Sequence, residues 1–167
     1  WPRSQRELPM VTGDNFDAVH KALLASGLAV GNAECFMIMP ATDVESFRQG
    51  LSLGAELGAV GATTLLYDAD EDRVKRNLSQ LCGMARDFGL RVSIEFMAMT
   101  PRWNTITQAV ALIQDIAQPN LGLCVDLLHL CRSGGSPEEV AAVPPALIHY
   151  AQLCDSADPG ASQDYAA

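Results

Sequence analysis

Five apolar runs of β character recur along the chain at a nearly fixed interval: Leu28 to Ile38, Ala62 to Tyr67, Arg91 to Met97, Leu121 to Leu127 and Leu147 to Leu153. Their centres lie about 30 residues apart, the length of one strand–helix unit. They lack the polar alternation of a strand with one wet face, so each predicts a strand covered on both faces. Between the runs the period turns helical. Asp70 to Phe88 carries Val74, Leu78, Leu81, Ala85 and Phe88 at steps of four and three, one apolar stripe, with Gly89 as its stop. Thr42 to Leu57 opens on Thr42-Asp43-Val44-Glu45, a capping box, and stops at Gly58. Thr105 and Gln108 form a second box before Ala109, Val110, Ile113 and Ile116, with Pro119 closing that helix. Ser136-Pro137-Glu138-Glu139 is the strongest start signal, combining an N-cap Ser, Pro at the first helical position and Glu three residues on. One more helix, about Asn15 to Ala25, precedes the first strand.

Buried strands alternating with amphipathic helices define the α/β class and a parallel sheet. An open doubly wound sheet and a (β/α)8 TIM barrel both satisfy the pattern. Neither GxGxxG nor GxxxxGK[ST] occurs, which tilts the reading toward the barrel. In both architectures the functional end is the C-terminal edge of the strands.

Composition narrows the function classes. The chain has 167 residues, 49% of them hydrophobic and 19% charged, which suits one domain with a sizeable core. No apolar run reaches the roughly 18 residues of a membrane span, and Trp1-Pro2-Arg3-Ser4 has no apolar stretch behind it. No membrane role and a cytoplasmic setting are therefore expected. A net charge of −9, without a basic stripe, argues against nucleic acid as a partner. The five cysteines (35, 82, 124, 131 and 154) contain no CxxC pair and read as buried reduced thiols.

The candidate chemistry gathers on three successive strands. The third places Glu95 near its end, the fourth ends in Asp126-x-x-His129, and the fifth ends in Gln152-x-x-Asp155. Each residue alone reads more readily as a helix cap or an ion-pair partner. Three polar positions in register on adjacent strands would cost several kcal/mol if left unpaired, and a divalent cation is a compact way to satisfy them. By alternation His149 faces away from Tyr150 and Gln152, into the helices, and His20 lies on a surface helix. Arg132, followed by Ser133-Gly134-Gly135-Ser136, reads either as an anion clamp with the next helix start or as a tight glycine turn with a solvated Arg. Loop position makes Trp103 with Arg102, and Phe36 with Met37, candidate pocket walls, with plain packing an equal reading.

The segments Gly89-Leu90-Arg91-Val92-Ser93-Ile94-Glu95-Phe96, Cys124-Val125-Asp126-Leu127-Leu128-His129-Leu130 and Tyr150-Ala151-Gln152-Leu153-Cys154-Asp155 together resemble the xylose isomerase-like TIM-barrel superfamily. It includes sugar (phosphate) isomerases and epimerases, 3-dehydroshikimate dehydratases and endonuclease IV. The resemblance spans the chain from the first helix to Asp155. It implies Glu95, Asp126 and Gln152 as metal ligands, Gln152 standing where many members have His. It makes Glu95 and His129 catalytic, Glu95 for one half of a proton exchange and His129 to hydrogen-bond the substrate's oxygens, while Arg132 and Trp103 are substrate-binding candidates from loop position alone. Asp155 would lie just beyond the metal, orienting a ligand or the following loop. The family's fourth ligand, a Glu on the last barrel strand, has no counterpart before Ala167.

Two carboxylates and an amide oxygen favour Mn2+ or Mg2+ over Co2+ or Zn2+. Endonuclease IV fits poorly, since its site resembles a cluster of many His and this chain has three. The implied activity is a divalent-metal-dependent isomerase or epimerase acting on a small ketose or keto acid, or its phosphate, by proton abstraction through an enediolate. A lyase of the 3-dehydroshikimate dehydratase type is the alternative within the same site, and a non-catalytic or truncated member is the alternative outside it. Five strands against the roughly 250 residues of a closed barrel predict a partial barrel lacking the first two strands and the last. Its two bare sheet edges would leave homo-oligomerisation open.

Overall fold

The computed structural model describes residues 10–154. Five parallel strands, β1 (Asn32–Ile38), β2 (Gly61–Leu66), β3 (Arg91–Glu95), β4 (Leu121–Asp126) and β5 (Ile148–Gln152), pair in sequence order. The helices are α1 (Phe16–Ser26), α2 (Arg48–Glu56), α3 (Glu71–Asp87), α4 (Ile106–Ile116), α5 (Leu127–Arg132) and α6 (Pro137–Ala141). The α/β class and the parallel pairing are as the periodicity predicts; β2 and β4 are buried along their whole length, but β1 is only partly buried and β5 has no buried residue, which corrects the expectation that every strand is covered on both faces. No described helix is long and apolar enough to cross a membrane.

Local signals explain most boundaries. Asp70 Oδ1 accepts the Arg73 N–H at 2.8 Å and starts α3, while Gly89 leaves it at φ 73°. Thr105 Oγ1 accepts the Gln108 N–H at 3.3 Å, and α4 ends on Ala117 at φ 54°, two residues before Pro119. The box expected at Thr42 is displaced by one residue. The Thr42 hydroxyl instead accepts the Met39 N–H at 2.8 Å and donates to Met37 O, so Asp43 becomes the cap and accepts from Glu45 N–H at 3.0 Å. A 3-10 turn over Val44–Phe47 then leads into α2. Ser136 does begin α6, its N–H donating to the Glu139 carboxylate at 3.0 Å, yet this strongest signal heads only five residues.

The main core lies between sheet and helices. Val92, Ile94, Leu121, Leu123 and Val125 meet Val74, Leu78, Leu81 and Ala85 of α3 and Ala109, Leu112 and Ile113 of α4, all less than 4% exposed. At about 25 cal/mol per Å2 of apolar surface removed from water, each such Leu or Ile contributes roughly 1.5–3 kcal/mol. Phe36 joins this layer against Phe47, with ring centroids 5.4 Å apart, so it packs on the helix side rather than walling a pocket.

The opposite face is polar and concave. The outer strands of a flat five-stranded sheet would stand about 19 Å apart, at about 4.8 Å per step. Here the Tyr150 hydroxyl of β5 donates to Glu34 Oε1 of β1 at 2.8 Å and also meets Thr63 of β2. The sheet therefore curls as a barrel wall, and its inner face carries Asn32, Glu34, Thr63, Ser93, Glu95, Cys124, Asp126, Tyr150 and Gln152.

A register shift between β4 and β5 corrects the alternation argument for His149. Leu123 pairs with Ile148 but Cys124 with Tyr150, so His149 is the extra residue of a bulge. It turns to the inner face, where Nδ1 sits 3.0 Å from Ser93 Oγ and the ring lies over Gly122. A Cβ on Gly122 would come 2.5 Å from His149 Nε2 and from Leu147 O, so only glycine fits beneath the ring.

Candidate metal and active centre

Glu95 and Asp126 end adjacent strands, with Glu95 two residues beyond Ser93 and paired to Cys124. The Asp126 side chain also starts α5. Its Oδ1 accepts the N–H groups of Leu128 at 2.7 Å and His129 at 3.2 Å. That cap corrects the reading of Asp-x-x-His as a strand ending: His129 is the third residue of a helix. The three-residue spacing from cap to first turn is what folds the imidazole back over the strand ends.

One ligand atom each from Glu95, Asp126 and His129 lies within 4.8 Å of the others. His129 Nε2 is 3.4 Å from Glu95 Oε1, and the two side chains are 13% and 12% exposed. His129 Nδ1 has no hydrogen-bond partner among the described residues, and Asp126 is 4% exposed. Two nearly buried carboxylates held this close repel unless a positive charge joins them. Oxygen and imidazole donors of this kind fit a divalent cation, which Glu95 and Asp126 would hold.

Gln152 pairs in register with Asp126 across β4 and β5. Its Nε2 donates to Glu34 Oε1 at 3.0 Å. Glu34 is the residue that sequence reasoning missed. Its carboxylate also accepts from Asn32 Nδ2 at 3.1 Å, Thr63 Oγ1 at 3.3 Å and Tyr150. The signal was present as a charge inside an apolar run, but the strand bulges between Ala33 and Phe36, which hid the face Glu34 would take. Burial and the neighbouring Cys124 and Glu34 push the Tyr150 phenol above its ordinary range, so it remains a donor.

The remaining candidates sit elsewhere. Trp103 is 6% exposed, packs in the helix-side core and lies under Arg102, whose guanidinium carbon is 4.9 Å from the ring centroid. It lines a cleft between α3 and α4 of about 370 Å3 with Glu71, Lys75 and Asp115, not the group around Glu95. Arg132 is the half-buried last residue of α5. The helix start beyond it is taken by Glu139 and flanked by Glu138, so an anion there would meet two carboxylates. Asp155 lies outside the described residues.

Cys82 and Cys124 are buried thiols pushed up to about 12 by desolvation, and the half-buried Cys35 is raised to about 12 by burial and by Glu95 and Glu34. Cys131 and Cys154 are exposed, which corrects the expectation of burial for those two. Cys154 Sγ donates to Asp126 Oδ2 at 3.1 Å, and that carboxylate raises its pKa.

Comparison with known proteins bears on the family and the fold. Residues 41–164 match the protein family described as "Xylose isomerase-like TIM barrel". A 3-dehydroshikimate dehydratase of Pseudomonas aeruginosa is 34% identical over 98 residues, 59% of this chain and 14% of its own length. The crystal structure of 3-keto-D-glucoside 4-epimerase from E. coli superposes with a TM-score of 0.75 at 16% identity, over 85% of this chain and 65% of that one. A structure of IolI with a bound zinc atom gives 0.73 at 16% identity, over 86% of this chain and 57% of the other. The chain thus spans about a seventh of its curated relative and under two thirds of these solved structures.

Proposed function

The chain belongs to the xylose isomerase-like TIM barrel family, and on that premise we propose that it performs divalent-cation-assisted proton abstraction beside a carbonyl of a small polyhydroxylated substrate. The observation that carries this reading is the convergence of Glu95, Asp126 and His129 at the C-terminal edge of β3 and β4. Glu95, Asp126 and Gln152 hold the cation. Bound there, a cation supplies Lewis-acid polarisation of the carbonyl, which acidifies the adjacent C–H. Glu95 is the base that takes the proton, and His129, whose Nε2 stands 3.4 Å from Glu95 Oε1, hydrogen-bonds the substrate oxygens.

Two reactions share this proton transfer and diverge after it. In a dehydratase, hydroxide leaves from the neighbouring carbon; in an isomerase or epimerase, a proton returns. The 34% identity over 98 residues to a 3-dehydroshikimate dehydratase supports the dehydratase. Two carboxylates and an amide oxygen favour Mn2+ or Mg2+, whereas recruitment of His129 as a ligand would favour zinc, the metal of the IolI structure.

The test is a substrate panel with the full-length protein, stripped by chelator and reloaded with Mn2+, Mg2+ or Zn2+. Dehydration of 3-dehydroshikimate that depends on added metal is expected. Turnover of ketoses alone would move the assignment to the isomerases and epimerases, and metal-independent turnover would refute the mechanism.

A further inference from the structure

We infer that Glu34 is a positioning residue that sets the orientation of the Gln152 amide and so determines which of its two ends faces Asp126. The inference rests on the proposed role of Gln152 as a cation ligand. A primary amide has an oxygen that can bind a cation and an NH2 that cannot, nearly equal in shape and exchanged by a half-turn of the terminal torsion. A glutamine used as a ligand therefore needs something to hold the half-turn. A histidine at the same place has an analogous requirement, met in metal sites by a carboxylate on the ring nitrogen away from the metal.

Glu34 meets that requirement. An ionised carboxylate only accepts hydrogen bonds, so the amide that touches it must turn its NH2 toward it. Gln152 Nε2 lies 3.0 Å from Glu34 Oε1, which leaves the carbonyl oxygen as the free end of a side chain in register with Asp126. Glu34 is itself fixed, because the same oxygen accepts from Asn32 Nδ2 on its own strand, Thr63 Oγ1 on β2 and the Tyr150 hydroxyl on β5. Asn32 Nδ2 also reaches Tyr150 at 3.1 Å, closing the network. Glu34 and Gln152 are 118 residues apart in sequence, so the arrangement exists only because the sheet curls. Partners that orient a ligand in this way typically contribute tenfold to a hundredfold in metal affinity.

The experiment is a double-mutant cycle in the full-length protein, reading Mn2+ affinity by calorimetric titration of chelator-stripped samples. Glu34→Gln can donate as well as accept, so it releases the half-turn, and about a tenfold loss of affinity is expected. In the Gln152→Ala background the same substitution should change affinity less than about twofold. Glu34→Asp keeps the charge but shortens the reach by one methylene, and should lose affinity as Glu34→Gln does. Equal losses in both backgrounds, or wild-type affinity in Glu34→Asp alongside a loss in Glu34→Gln, would show that Glu34 acts only through its charge and would overturn the inference. Unchanged affinity in Glu34→Gln would overturn it as well. A wild-type protein that binds no Mn2+, or binds it equally well as Glu95→Gln, would instead refute the cation site, and the positioning role with it. Circular dichroism of the stripped proteins confirms that each variant compared is folded; if Glu34→Gln is not, Glu34→Asp carries the comparison.

Discussion

Asp68 and the Glu95–Asp126 pair lie at the same C-terminal edge of the sheet, Asp68 two residues past the end of its strand, and meet opposite fates. Asp68 follows β2 and its side chain is 1% exposed, yet the next helix returns a cation to it: Arg73 Nη2 donates to Oδ1 at 2.7 Å, Nε reaches Oδ2, and Asp70 N–H adds a bond at 3.0 Å. The Arg73 guanidinium holds the Asp68 carboxyl below the usual carboxylate range. Within ion-pair distance of Glu95, by contrast, the described residues supply only His129. A strand-end carboxylate is structural where its own βα unit provides the countercharge. It is available for chemistry where the unit withholds it.

The sharpest break of this contrast is expected in activity. Glu95→Gln or Asp126→Asn should lower turnover about 100- to 1000-fold, as measured on the substrate identified by the panel. The midpoint of thermal unfolding without metal should hold or rise, because one of two crowded charges is gone and Asn still caps α5. Arg73→Met should show the reverse pattern. It leaves the buried Asp68 carboxylate without its cation and should cost about 2 kcal/mol in a urea titration, a value reduced by the partial exposure of Arg73, with Mn2+ affinity unchanged.

The smallest effect is expected at His149, whose partner Ser93 is neutral. Burial, and Arg91 nearby, lower its pKa below the ordinary 6.5, so the folded protein keeps the ring neutral where the unfolded chain would bind a proton. Its contribution is fully present above the unfolded value and is lost as pH falls toward the folded one. The unfolding midpoint should therefore drop between about pH 7.5 and about pH 5, and His149→Asn should flatten part of that drop.

Much of this was legible in the pattern of residues. The strand spacing, the caps at Thr105 and Ser136, and the stop glycines depend on neighbours a few residues away, and those interactions survive into the fold. Glu95 and Asp126 were legible because burial of a carboxylate in an apolar run is costly wherever it occurs. His149 and Glu34 were misjudged or missed for one reason: each lies at a bulge, where alternation fails, and each finds its partners across the curled sheet. Trp103 takes the packing alternative, because a loop after a strand end can turn to either face and here the ring turns to the helix-side core. The exposure of Cys131 and Cys154 likewise follows from tertiary placement that an apolar neighbourhood in sequence does not determine.

The central claim is that the carboxylate pair without a protein countercharge holds a divalent cation. Metal analysis of the full-length protein as isolated tests it directly, comparing wild type, Arg73→Met and the Glu95→Gln/Asp126→Asn double variant. About one equivalent of divalent metal per chain is expected in the first two and none in the third. Equal metal content in the double variant, or none in the wild type even after reloading, would contradict the account.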